Sequence, residues 1–165
     1  MEFESSKFEK IKIFENPSYM LKAVNFVRLL SIAIFLGTLS IVYAYLDPVV
    51  SFSIETDMPT MHRTYFFYLS SFIFLVINIV LWFLIKILSP KIAQRFGLLS
   101  AGWVAALPVV VNFYICFLIG FLAVLNNASS LQLSNYAYLN YLGPILLMIW
   151  MGLFIYFIST KKSFD

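Results

Sequence analysis

Residues 98–125 read LLSAGWVAALPVVVNFYICFLIGFLAVL, twenty-eight residues without one Asp, Glu, Lys, Arg or His. A helix needs roughly 20 apolar residues to cross a hydrocarbon core of about 30 Å. This stretch therefore predicts a membrane span with residues to spare, and the excess predicts tilt or a broken end. Pro108 removes a backbone donor inside it and predicts a kink. Ala101-x-x-x-Ala105 and Gly102-x-x-x-Ala106 offer small-residue faces, and Cys116 and Gly120 repeat the spacing further along. Such faces let helix backbones approach closely.

Three more apolar stretches share that character, at about 24–46, 64–85 and 138–159. The expected fold is all-α: an antiparallel bundle of four transmembrane helices, spanning residues 24–160. A 1–23 arm precedes it and a short 161–165 tail follows it. Gly143-Pro144 predicts a bend near the start of the fourth span, and Gly152 a contact point deeper in. Composition agrees, with 62% hydrophobic residues and 12% charged, about half the charged fraction of a soluble domain. The chain opens Met1-Glu2-Phe3-Glu4 with no short basic region before an apolar core, so the first span is expected to stay as an anchor.

Orientation follows from the cations. Nine of the eleven Lys and Arg residues fall in the arm, the stretch after the second span or the tail, and Arg28 sits near the start of the first span on that same side, leaving Arg63 alone on the other. The excess marks the cytoplasmic side, so both termini are expected inside. Aromatic residues agree, because Tyr and Trp favour the membrane boundary. Tyr43, Tyr45, Tyr65, Tyr68, Tyr136, Tyr138 and Tyr141 gather at the expected outer ends, with Trp82, Trp103 and Tyr156 towards the inner ones. Abundant Phe, Ile, Asn and Lys suit an AT-rich bacterial genome, and the expected location is the bacterial cytoplasmic (inner) membrane.

Outside the bilayer the longest polar stretch is the N-terminal arm, too short to fold unaided. Asn16-Pro17-Ser18 is a helix-start signal. From Pro17 the chain would lie along the interface as a lipid-surface anchor or as a docking segment for a neighbouring protein. Asn127-Ala128-Ser129 fits a glycosylation pattern in the second outer loop.

Most membrane chemistry lacks its equipment here. The middle of each span lacks Asp, Glu, Lys, Arg and His, while Arg28 and Lys86 fall towards the cytoplasmic edge, where long side chains can snorkel. Coupling through an intramembrane carboxylate, disulfide exchange (Cys116 is the single cysteine) and intramembrane aspartyl proteolysis lose their required groups. Glu55, Asp57 and His62 in the first outer loop form the best acid–base or metal candidate. A solvated acidic loop is the plainer reading. Ser129 and Ser130 lack an adjacent base and read as loop. No catalytic residue, cofactor, metal or nucleic-acid partner is expected.

Asn78 and Asn112 carry more weight. Asn78 precedes Lys86 by eight residues and Asn112 follows Trp103 by nine, which places both roughly 12–14 Å above the cytoplasmic boundary. On antiparallel neighbours these amides would meet at one level and hold helices together. Candidate helix-packing or partner-contact residues are thus Asn78, Asn112, Gly102, Ala106, Pro108, Gly120 and Gly152. The leading expectation is a non-enzymatic subunit that packs beside a larger membrane complex and helps assemble, stabilise or regulate it. The alternative is an oligomeric channel or facilitator for a neutral or hydrophobic solute, its path lined by Asn78, Asn112 and the Pro108 bend. A lipid-active enzyme using Glu55, Asp57 and His62 ranks third.

Overall fold

The computed structural model describes residues 17–52, 60–126 and 135–161. In chain order they form α1 (Pro17–Tyr45), β1 (Val49–Ser51), β2 (Thr60–His62), α2 (Arg63–Phe96), α3 (Leu98–Ala105), α4 (Leu107–Leu125) and α5 (Leu139–Lys161). Four segments are long and apolar enough to cross a membrane: Lys22–Tyr45, Arg63–Phe96, Leu98–Leu125 and Leu139–Ser159. They pack as a bundle. The arm residues 1–16, the first-loop segment with Glu55 and Asp57, and the second-loop Asn127-Ala128-Ser129 pattern with Ser130 lie outside the described residues.

The helix that starts at Pro17 runs without interruption to Tyr45, across the 23/24 boundary expected between arm and span. The first strand pair is a small addition to a helical fold: β1 and β2 lie antiparallel, with Val50 opposite Met61.

Two of the expected loops and bends take specific forms. After the second span, a loop was expected from Lys86; instead α2 continues to Phe96, 34 residues in all. At 1.5 Å per residue that is about 51 Å, well beyond a core of about 30 Å. Pro90 lies inside the extension, where it strips only the hydrogen bond to the residue-86 carbonyl. Gly97 ends the helix with φ 83°, a conformation glycine adopts without steric cost. The chain therefore turns from α2 into α3 across a single residue.

The third span breaks at Ala106. Pro108 has no N–H to give the Val104 carbonyl, and the Ala106 N–H shares itself between the Gly102 and Trp103 carbonyls, both at 3.1 Å. Pro108 then occupies the first turn of α4, where a missing donor carries no penalty.

Burial explains how the spans associate. On α1 the buried residues Ser31, Phe35, Leu39 and Val42 recur at helical spacing as one stripe, which Leu46 continues just past the helix end. On α4, Pro108, Asn112, Cys116 and Ile119 do the same. The two stripes meet in one buried cluster that joins Leu39 and Val42 to Cys116 and Ile119, and the Phe35 ring stacks on Phe74 of α2 at 3.5 Å. The third span is the centre of the bundle. α1 and α5 both pack extensively on α4 and share no substantial contact with each other, so they flank it.

Candidate functional site

The most polar part of the helix core is a seam across α1, α2 and α4. The Asn78 Nδ2 group donates to Asn112 Oδ1 at 2.9 Å and to the Phe74 carbonyl at 3.1 Å. Asn112 Nδ2 donates to Ser31 Oγ at 2.8 Å, and the Ser31 hydroxyl donates to the Arg28 carbonyl at 2.7 Å. Asn112 is fully buried and Asn78 is 6% exposed. The Arg28 guanidinium closes the seam by donating from Nη2 to the Asn78 backbone carbonyl at 3.3 Å. Two buried atoms in it, Arg28 Nε and Asn78 Oδ1, have no hydrogen-bond partner.

Helix arithmetic fixes the depth. Ser31 lies 14 residues from Tyr45, Asn78 15 from Arg63 and Asn112 13 from Leu125. At 1.5 Å per residue the three lie about 20–22 Å from the same ends of their helices. With those ends at one face of a core of about 30 Å, the seam sits some 9 Å inside the other face. The Arg28 guanidinium turns towards α2, where the Asn78 carbonyl offers it an acceptor.

The remaining candidates separate. Gly102 is buried and Pro108 fully so, while Ala106 is the half-buried break point. A Cβ added at Gly120 or Gly152 would meet nothing within 4 Å, so neither glycine is a close contact within this chain. Gly143 is: a Cβ there would lie 1.9 Å from the Tyr114 ring, which rests against the α5 backbone. The bend expected at Gly143-Pro144 is a close approach inside a helix. Trp103 reaches the middle of α5. Its Nε1 donates to the Trp150 carbonyl at 3.1 Å, and Trp150 Nε1 returns a bond to the Trp103 carbonyl at 3.3 Å.

At the opposite end, Asn126 binds the ribbon to α4. Its Oδ1 accepts from the Ser51 N–H at 2.5 Å, and its Nδ2 donates to the Ser51 and Leu122 carbonyls, both at 2.8 Å. Arg63 joins α1 to α2, donating from Nη1 to the Leu46 carbonyl at 3.3 Å with its guanidinium 5.4 Å from the Tyr43 ring centre. His62 caps α2, its Nδ1 accepting from the Thr64 N–H at 3.3 Å. Beside it lies an open groove of about 660 Å³ lined by Thr60, His62, Tyr65, Tyr68 and Phe72. Among the described residues no three His, Cys, Asp or Glu side chains gather to hold a metal.

Residue type marked Asn78 and Asn112 in the sequence. Ser31 and Asn126 carried a weaker signal, as polar residues at either end of an apolar stripe. Nothing in the local sequence pointed to Tyr114 against Gly143, since that contact joins separate spans. The geometry describes a four-span membrane bundle tied by one interior polar seam and one clasp at its loop end; compared with family models, curated proteins and solved structures, the chain matches none.

Proposed function

We propose that this chain is a non-enzymatic, multi-pass membrane subunit that packs against a larger membrane protein complex and helps assemble, stabilise or regulate it. The observation that carries this reading is the one-sided packing of α5. Only 6% of its most apolar window is buried within the chain, against 22% in the first and third spans. It is held on one side by Tyr114 and the reciprocal tryptophan bonds. Elsewhere it is open at Gly152, with Met148, Met151 and Ile155 exposed around it. Glycine on an open face permits backbone-to-backbone approach by another helix, and methionine adapts to irregular partners.

The seam argues in the same direction. Asn78 and Asn112 spend their amides on one another, on Ser31 and on backbone, deep among packed helices. That arrangement suits helix association better than a solute path. We place the chain in a bacterial cytoplasmic membrane with both termini cytoplasmic, on the strength of the cation distribution.

Extraction of the native protein in mild detergent, followed by native gel and mass spectrometry, tests this reading. A defined larger complex with fixed stoichiometry is the expected result, and Gly152→Leu should release the chain from it. A monodisperse protein with no companion overturns the reading, and a homogeneous homo-oligomer moves the alternative of a channel or facilitator to the front.

A further inference from the structure

We propose that Arg28 is the binding group for the phosphate of an anionic lipid in the leaflet beside Lys86. The first ground is charge. Around the inner ends of the helices the described residues place Lys22, Arg28, Lys86, Lys91 and Arg95. The one acidic residue described, Asp47, lies beyond the far end of α1, more than about 25 Å along the helix from Arg28. Arg28 therefore has no counter-ion among the described residues. A cation at hydrocarbon depth is unfavourable unless something pairs with it.

The second ground is how loosely the guanidinium is held. Its Nη2 bond to Asn78 is long, at 3.3 Å, and in a regular helix that carbonyl also serves its own backbone ladder. Nε is buried without a partner, as is Asn78 Oδ1 beside it. A guanidinium offers five N–H donors in a planar fork that matches two phosphate oxygens.

The third ground is reach. Arg28 lies one helical turn closer to the boundary than Ser31, so its Cα is about 5 Å inside the hydrocarbon edge. The headgroup layer begins at that edge and is about 5–7 Å thick. Turned outward, the side chain meets a phosphate drawn slightly inward, the local thinning that intramembrane arginines are known to induce. Exposed Phe26, Leu29 and Leu30 on the adjoining turns of α1 give the acyl chains an apolar surface. The inference is independent of the proposed subunit role.

The test uses the full chain in neutral detergent, with native mass spectrometry of bound dioleoyl-phosphatidylglycerol against dioleoyl-phosphatidylcholine. Wild type should retain the anionic lipid at least about tenfold over the zwitterionic one. Arg28→Gln, which removes the charge, should bring the ratio below about twofold. A Lys86→Gln/Lys91→Gln/Arg95→Gln triple variant should keep the preference within about threefold of wild type, and it decides the matter alone if Arg28→Gln does not fold. Loss of preference in the triple variant overturns the site in favour of surface cations. Displacement of the lipid by 10 mM inorganic phosphate overturns the lipid as source. Equal retention of both lipids by wild type overturns the proposal and returns the counter-ion to a carboxylate on a partner's span.

Discussion

Replacing Asn112 by Leu tests whether the polar seam holds three helices together. The substitution keeps the branched shape and the number of heavy atoms but removes the bond accepted from Asn78 at 2.9 Å and the bond donated to Ser31 at 2.8 Å. Interhelical hydrogen bonds in membranes contribute about 0.6 kcal/mol on average, with a measured maximum near 1.7. Two of them give about 1.2 kcal/mol, rising to roughly 3. The lower part of that range is the better estimate, because both abandoned partners keep a second bond. Asn78 still donates to the Phe74 carbonyl and Ser31 to the Arg28 carbonyl. Asn112 is fully buried, so water has no access to replace it. The expected loss is about 1–2 kcal/mol, a factor of roughly 5–30 in the folding constant. Reversible unfolding in mixed micelles, titrated with sodium dodecyl sulfate, measures it. A double-mutant cycle with Ser31→Ala should return about 0.6 kcal/mol of coupling, since that one bond is common to both sites. If Asn112→Leu unfolds within about 0.3 kcal/mol of wild type, or the cycle shows no coupling, the seam is not what ties α1 and α2 to α4.

Gly143→Ala should destabilise by about 1–3 kcal/mol through overpacking, since its Cβ would lie 1.9 Å from the Tyr114 ring, whereas Gly120→Ala and Gly152→Ala meet open space. Adding Tyr114→Ala should rescue Gly143→Ala in the same titration, and a lack of rescue refutes the contact. Asn126→Ala removes the side-chain bonds to Ser51, so amide exchange at Val50–Phe52 should accelerate at least about tenfold while that of α4 changes little. Unchanged exchange there denies Asn126 its clasp. For orientation, Thr60→Cys in a Cys116→Ala background should react with an impermeant maleimide in intact cells, and Lys91→Cys only after permeabilisation. The reverse pattern inverts the proposed topology.

Much of the architecture was legible because a bilayer makes length and polarity decisive. A run of about 20 apolar residues has few ways to satisfy its backbone other than as a spanning helix. The third span shows this well: its excess length and Pro108 both announced a break, and the break falls at Ala106. The second shows the limit. Lys86, Lys91, Pro90 and Arg95 read as a loop, yet α2 runs on to Phe96, because leaving the hydrocarbon does not end a helix and only Gly97 supplies the turn.

What the chain settles locally, then, is the set of four spans, the cation asymmetry between their ends and the two amides that had to find partners in an apolar medium. The tertiary structure alone decided who those partners are. Ser31 joins the amides because α1 packs against α4, and Arg28 turns inward because α1 also meets α2, which brings the Asn78 carbonyl within reach. Gly143 is a close contact within the chain where Gly152 is not, because Tyr114 comes from another helix to fill its side. Hydropathy is a property of each segment by itself and can be summed along the sequence. A hydrogen bond or a ring against a glycine depends on the rotation and height of two segments at once, and those are set only when the helices pack.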